Sequence, residues 1–358
     1  MNELLDPWTL PNDPAKLGAL TSTGGQYDQI SQAVQIERIS EITALSSGGD
    51  SEPDQRVPEQ LKAWLLGEAR SESMALYAVL DASRIANLET MLEASGHEYR
   101  CLFKGDAKEE LGEVAPWLVK LDEDSDLTRR LFVRHPEGKI TPFTLWGAQP
   151  GIFFRTKATL EEMWGHLRRF TRVPDETGAW FYFRFWEPEV AALYFPSLPT
   201  HMDKLQHWLR GPNDSPIHII VFRSRMSDAV WVAPTEALPL GRPNTSFAIE
   251  PIERDVFRRV ALGKFQRDLN DHLLEVLPAW EAGTETEKRL VQLRALIRDA
   301  KLAGLGIEQA TVNYCEAALR MGRSPSADPI TAQILQKDQH PVDRSKALLA
   351  HARSLSTT

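Results

Sequence analysis

The feature that most constrains the fold is an alternation of short apolar runs with amphipathic segments of helical period. The apolar runs are ALYAVLD (residues 75–81), EYRCLF (98–103), PWLVKLD (116–122) and GIFFR (151–155). Each is followed by a segment whose apolar residues recur three or four positions apart, as on one face of a helix. Strands that alternate with helices predict an α/β fold, in which a mainly parallel or mixed sheet carries flanking helices.

The chain changes character near residue 250. IHIIVFRSR (217–225) and AVWVAP (229–234) predict an antiparallel pair of strands at the edge of the sheet, whereas the pattern after residue 253 is helical. Residues 1–250 carry 25 Lys and Arg against 36 Asp and Glu, while residues 251–358 carry 16 against 14. We therefore predict an α/β domain over residues 58–250 and an all-helical C-terminal lobe over residues 251–358.

The N-terminal part of the chain has a different composition from both of these regions. Residues 11–57 include TSTGGQ and SSGGDSEPDQ, which are rich in Gly, Ser, Thr, Asp and Pro. Such a segment buries too little apolar area to offset the entropy lost on ordering. We predict a flexible, largely disordered arm over residues 1–57, with one short helix between Ile30 and Leu45.

Charge, cysteine content and hydropathy exclude several classes of protein. A formal net charge of −9 gives no general attraction to phosphate backbones, so we expect no nucleic-acid partner. The two cysteines, Cys101 and Cys315, lie far apart and form no CxxC spacing, which argues against a disulfide framework or a zinc site. Without a secretion signal or a long uncharged apolar run, the sequence predicts a cytoplasmic protein with no membrane contact.

The usual catalytic motifs are absent from the sequence. It contains no GxSxG elbow, HExxH, Walker loop or EF-hand loop, so the motifs predict no cofactor, while acid–base pairs among the many carboxylates stay open. Glu162 and His166 are four residues apart, as are Asp203 and His207, but each pair is interpreted as an exposed contact on a helix surface, since a metal site needs at least three convergent ligands. DEDSD (122–126) is interpreted as a capped loop before a helix.

The stretch AWFYFRFWEPEV (179–190) is the most unusual part of the sequence, because six of the seven residues from Trp180 to Trp186 are aromatic. As a strand it would place Trp180, Tyr182, Arg184 and Trp186 on one face. A buried guanidinium needs a carboxylate, and the candidates are Asp81 and Glu187. The favoured interpretation is a central strand covered on both sides, with Arg184 paired to Asp81. A partner-binding surface and a platform for stacking nucleic-acid bases are the alternatives.

Several segments together resemble the adaptor or chaperone proteins of bacterial type VI secretion, often called Tap or Tec, whose shared domain was long of unknown function. In that family a strand Arg is followed by an aromatic residue, an acidic residue and Pro. Arg184, Phe185, Trp186, Glu187 and Pro188 fit this pattern, with Glu187 in place of the more usual Asp. The similar segments are residues 76–85, 99–132, 146–190 and 198–212, and the C-terminal helical region is similar more loosely.

The resemblance implies a cytoplasmic adaptor without enzymatic activity. Such a protein binds a cognate type VI effector, usually through the N-terminal region of the effector, and helps to load it onto the VgrG spike. Two alternatives remain: an enzyme of unknown chemistry in the α/β domain, with Asp81 and Arg184 as site residues, or a scaffold that binds VgrG alone. The candidates for structural or partner-binding roles are Asp81, Trp117, Trp180, Tyr182, Arg184, Trp186, Glu187 and Pro188.

Overall fold

The computed structural model describes residues 35–39, 42–47, 55–67, 74–223, 228–232, 246–277, 280 and 285–355. The chain forms two compact units that divide after Val256. The predicted domain bounds at residues 57 and 250 stay predictions.

The first unit contains a seven-stranded sheet and two small two-stranded sheets. The strands are β1 (Gln35–Glu37), β2 (Leu45–Ser46), β3 (Ala75–Asp81), β4 (Tyr99–Cys101), β5 (Pro116–Leu121), β6 (Val133–Arg134), β7 (Gly151–Thr156), β8 (Arg172–Pro174), β9 (Trp180–Tyr182), β10 (Ile217–Arg223) and β11 (Asp228–Val232). The large sheet has the order β1-β11-β10-β7-β3-β5-β4. Strands β2 and β6 form one small sheet, and β8 and β9 form the other.

Helices flank this sheet and make up the C-terminal region. They are α1 (Glu59–Leu65), α2 (Leu88–Ser95), α3 (Asp106–Leu111), α4 (Asp126–Phe132), α5 (Leu160–Thr171), α6 (Pro188–Tyr194), α7 (Met202–Leu209), α8 (Pro251–Val276), α9 (Thr286–Leu302), α10 (Glu308–Met321), α11 (Pro329–Leu335) and α12 (Pro341–Leu355). The predicted class, an α/β fold followed by an all-helical region, is confirmed. None of the described helices is both long enough and apolar enough to cross a bilayer.

The strand–helix alternation corresponds to crossover connections, yet neighbouring strands in the large sheet are antiparallel. Strands β3 and β4, which are joined through α2, run in the same direction with β5 inserted between them. Strands β5 and β7 likewise lie on either side of β3. This is the split βαβ arrangement, in which a third strand separates the two that a helix connects. Alternation in sequence predicts the crossover but not the inserted strand.

Strand β3 lies in the interior of the sheet, and its residues from Leu76 to Asp81 are buried. It pairs with β5 on one side and with β7 on the other. The β7 backbone approaches β3 so closely at Gly151 that a Cβ atom there would lie 1.8 Å from the carbonyl oxygen of Val79. Only glycine fits at this position without a shift of the backbone.

Two predictions about the outer part of the sheet need correction. Strands β10 and β11 form the predicted antiparallel pair, but β1 continues the sheet beyond β11. Part of the predicted disordered arm is therefore ordered: residues 35–37 form β1, and Leu45–Ser46 forms β2, which pairs with β6. The short helix expected between Ile30 and Leu45 does not occur in the described residues of that stretch. The rest of the arm lies outside the described residues.

The second unit is helical and has two apolar clusters. One packs Tyr314 and Ala317 of α10 together with Leu348 of α12. The other joins Phe265 and Leu269 of α8 to residues of α9. These contacts follow the helical spacing of apolar residues that predicted the region.

Candidate functional site

Asp81 lies at the end of the interior strand β3, and its carboxylate is fully buried. The Arg184 guanidinium binds it, with Nη2 3.0 Å from Asp81 Oδ2, so the predicted pairing of Arg184 with Asp81 is confirmed. The other carboxylate oxygen accepts hydrogen bonds from the backbone N–H of Ser83, at 3.0 Å, and from its hydroxyl, at 2.6 Å. Asp81 thereby caps the short 3₁₀ helix of residues 82–84.

The ion pair extends into a network of two arginines and three carboxylates. Arg184 Nε also binds Oε1 of Glu187, the second predicted partner. Arg84 lies 3.7 Å from Asp81 Oδ2 through Nε, and its Nη2 is 3.0 Å from Oε2 of the buried Glu189. Burial raises the pKa of Glu187, whereas the charges of Arg184 and Arg84 oppose that rise. Each of the three carboxylates therefore has an arginine partner.

The network joins segments about a hundred residues apart in the sequence, namely the end of β3 and the start of α6. Its burial is uneven, because the Arg184 side chain remains 38% exposed while Asp81 is completely covered. The prediction of a covered Arg184 is therefore wrong, since more than a third of its side chain is exposed. A guanidinium held by two carboxylates in this way fixes the position of the chain that carries it.

The aromatic stretch does not form a central strand, and that prediction is wrong. Only Trp180–Tyr182 is a strand, β9, and it pairs with β8 in a separate hairpin. The side chains of Trp180 and Tyr182 are 59% and 47% exposed. The Phe183 N–H still donates to the Thr171 carbonyl oxygen, after which the chain turns at residues 185–186, and Pro188 occupies the first turn of α6, where its missing N–H costs nothing.

The remaining rings of the stretch are buried in an aromatic core. Phe183, Phe185 and Trp186 are at most 1% exposed. Phe183 packs edge-on against Tyr194, with ring centroids 5.0 Å apart, and Phe185 lies 5.0 Å from Trp208. The need to fill this pocket, together with the helix that starts at Pro188, explains why the strand ends early.

Two of the other candidate residues are also structural in their placement. Trp117 on β5 is 1% exposed and contacts the Tyr99 ring at a centroid distance of 5.7 Å. Pro188 is buried at the start of α6. Of the eight predicted candidates, Trp180 and Tyr182 are thus the two whose rings face solvent.

The turn of the β8–β9 hairpin is held firmly. Asp175 Oδ1 accepts hydrogen bonds from the Thr177 hydroxyl, at 2.7 Å, and from the backbone N–H groups of Thr177 and Ala179. Arg254 binds the other oxygen, Oδ2, at 2.6 Å. The Thr177 hydroxyl and Arg254, with these N–H groups, lower the pKa of Asp175 to about 2. The exposed rings are therefore presented from a fixed turn.

A groove that the sequence did not predict runs beside this hairpin. It has a volume of about 870 Å³, and we call it the basic groove. Its lining includes Arg169, Arg172, Trp180, Arg210 and Phe247. The sequence did contain a signal for this groove. RRFTR (168–172) has three arginines in a run of five residues, although residues 1–250 are acidic as a whole.

The histidines of the two pairs considered as metal ligands are buried in the fold. Glu162 completes a capping box with Thr159 at the start of α5, while His166 is buried. His207 is also buried, so the interpretation of both pairs as exposed surface contacts is wrong. Among the residues that the structure describes, no three His, Cys, Asp or Glu side chains converge in a way that could hold a metal ion.

Together these features define an α/β protein in which arginines pair with every carboxylate of the charge network. An exposed aromatic hairpin lies next to a basic groove. Residues 76–203 match a family model described as "Domain of unknown function (DUF4123)". The matched region begins in β3 and ends in α7, so it includes the charge network and the hairpin. No significant match was found to a curated protein or to a solved structure.

Proposed function

We propose that the protein is an adaptor for a type VI secretion effector, which it binds in the cytoplasm and helps to load onto VgrG. The observation that carries the proposal is the match of residues 76–203 to DUF4123, a domain family associated with adaptors of such effectors. The matched residues include much of the resemblance identified from the sequence, in particular RFWEP (184–188).

The surface of the first unit supports a role in protein binding. Trp and Tyr are among the residues that contribute most to protein–protein interfaces, because their large rings bury much area at a small entropic cost. Trp180 and Tyr182 expose such rings from a hairpin whose turn is fixed by Asp175. A rigid aromatic surface loses little entropy on binding.

The proposal is tested by expressing the tagged chain together with VgrG and toxin candidates from the genome that encodes it. We expect the toxin to co-purify with the wild-type chain. The double variant Trp180→Ala/Tyr182→Ala should bind it at least about tenfold more weakly, as expected for interface hot spots. Phe143→Ala is the matched control, because Phe143 is a 62% exposed aromatic residue outside the hairpin.

Three results would contradict the proposal in different ways. Co-purification of VgrG without any toxin would favour a scaffold that binds VgrG alone. Turnover of nucleotides or esters by the purified chain, if lost in a folded Asp81→Asn variant, would favour an enzyme. If Phe143→Ala weakened toxin binding as much as the double variant does, the hairpin would no longer be assigned to the interface.

A further inference from the structure

The basic groove differs in charge from the chain around it. The chain has a formal net charge of −9, but the charged side chains that line the groove are Arg169, Arg172 and Arg210. Among the described residues that line the groove there is no Asp or Glu. Glu162 lies near one end, and its carboxylate already accepts a hydrogen bond from Asn213 at 2.7 Å. The lining is therefore complementary to a negatively charged ligand.

Two of these arginines have no acidic partner of their own. Within the described part of the chain, neither Arg169 nor Arg172 forms an ion pair with a carboxylate. Arg169 Nη2 lies 2.8 Å from Nδ1 of His166, and Arg172 is exposed beside the Trp180 ring, 5.1 Å from its centroid. Arg169 Nε also donates to the His166 carbonyl oxygen at 3.3 Å, so one edge of its guanidinium is occupied, whereas Arg172 keeps its capacity for bidentate binding of a ligand.

The groove also offers apolar surface between these charges. The rings of Phe170 and Phe247 meet edge-on in its lining, with centroids 5.0 Å apart. Trp180, which belongs to both the groove and the exposed hairpin, is 59% exposed. Phe170 and Phe247 are only 0% and 8% exposed and offer a ligand little surface, so an apolar side chain of a ligand would pack on the Trp180 ring while its acidic neighbours reach the arginines. The volume of about 870 Å³ falls within the usual range of ligand pockets.

We propose that the basic groove binds an extended segment of the effector in which aspartate or glutamate side chains flank an apolar side chain. This inference rests on the proposed adaptor function. A protein segment is favoured over a nucleic acid because nucleic-acid affinity depends on neutralising many successive phosphates. The groove contains three arginines, whereas residues 1–250 as a whole carry 25 basic against 36 acidic residues.

The test measures binding of short fluorescent peptides by polarisation, with the full-length protein. The probe is a ten-residue peptide that alternates Asp and Leu, and its comparison has Lys in place of every Asp. A single-stranded oligonucleotide is the third ligand. We expect the acidic peptide to bind best, and its affinity to fall with added salt, because exposed charges are screened.

The variants separate charge in the groove from charge in general. Arg172→Glu should weaken binding of the acidic peptide about tenfold, because it replaces attraction by repulsion at an exposed position. Arg172→Lys keeps the charge but loses the paired N–H donors of the guanidinium, so it should bind more weakly than the wild type and more tightly than Arg172→Glu. Arg298→Glu is the matched control, since it makes the same charge change at a 71% exposed side chain of α9 and should leave binding unchanged.

Each alternative outcome overturns the inference. The inference fails if the acidic and basic peptides bind with equal affinity, or if Arg298→Glu weakens binding of the acidic peptide as much as Arg172→Glu does. It also fails if the oligonucleotide binds more tightly than the acidic peptide and Arg172→Glu abolishes that binding. Effector capture distinguishes this failure from that of the proposed function. If Arg172→Glu still captures the effector fully, the groove does not recognise the effector, and the proposed adaptor function stands. If the chain binds the peptide but captures no effector, the adaptor function is refuted, and the groove still stands as a peptide-binding site.

Discussion

Replacing Arg184 by alanine tests the charge network most directly. The substitution removes the guanidinium that binds Asp81 at 3.0 Å, reaches the Ser83 hydroxyl at 3.2 Å and also contacts Glu187. Removing one member of a fully buried ion pair costs about 3–5 kcal/mol, because the remaining charge is left without a partner. That figure is the upper limit for this site.

The structure gives a smaller cost for two reasons. Asp81 keeps two hydrogen bonds from Ser83 and the charge of Arg84 at 3.7 Å, so it is not isolated. The Arg184 side chain is also 38% exposed, and solvent weakens its ion pairs. We therefore expect Arg184→Ala to lower the free energy of unfolding by about 1.5–3 kcal/mol, the value of a hydrogen bond to a charged group.

The assay is urea unfolding followed by tryptophan fluorescence, which reports mainly on the first unit because Trp280 is the sole tryptophan after residue 256. Arg172→Ala is the control, since it removes an exposed guanidinium that has no carboxylate partner among the described residues, and it should change stability by less than about 0.5 kcal/mol. Asp81→Ala and the double variant complete a mutant cycle. A coupling energy below about 0.5 kcal/mol would refute the network's role in stability.

Three further predictions concern single positions in the structure. Gly151→Ala should destabilise the protein by about 1–3 kcal/mol in urea unfolding, because the added Cβ would meet the β3 backbone. Gly165→Ala is the comparison: Gly165 lies in α5 with open space around it, so this variant should stabilise the protein by about 0.5–1 kcal/mol. Burial lowers the pKa of His166 to about 3, so the unfolded chain takes up a proton near pH 6.5 that the folded chain does not. The free energy of unfolding should therefore fall as the pH decreases from about 6.5 to about 3. Unfolding curves of a folded His166→Leu variant should lack this contribution, and the same pH dependence in the variant and the wild type would contradict the prediction. Burial raises the pKa of Cys101 and raises that of Cys315 to about 12, so a thiol reagent should modify both only after denaturation, and rapid labelling of the native protein would contradict this.

The elements that the sequence predicted correctly are those whose pattern is local. The run ALYAVLD became β3 at the predicted residues, and PWLVKLD and GIFFR became β5 and β7. In each case a short apolar run is bounded by polar or turn residues, and burial on both faces of the sheet accounts for the pattern. The order of the strands depends on contacts between distant segments, which local patterns do not contain.

The aromatic stretch shows why local pattern failed elsewhere. Its composition favours a strand over the whole of residues 180–186. In the structure, however, Phe183 and Phe185 pack among Tyr194 and Trp208, residues that belong to later parts of the chain. The ladder therefore ends at Tyr182, and the aromatic core determines the path that follows. The pairing of Arg184 with Asp81 could be predicted, because a guanidinium among aromatic residues needs an acid and few candidates were available, whereas Arg84 and Glu189 were not predicted.

The division of roles within this region bears on how the proposed binding surface would distinguish one segment from another. RFWEP (184–188), which carried the resemblance to the adaptor family, is used mainly inside the fold: Arg184 binds Asp81, Trp186 is buried and Pro188 starts a helix. Residues committed to such contacts have little freedom to vary with the partner. The neighbouring Trp180 and Arg172 are exposed on a hairpin that the fold holds in place. Substitutions at Trp180 or Arg172 should consequently change which segment is bound while leaving stability within about 0.5 kcal/mol, the opposite of the result expected for Arg184.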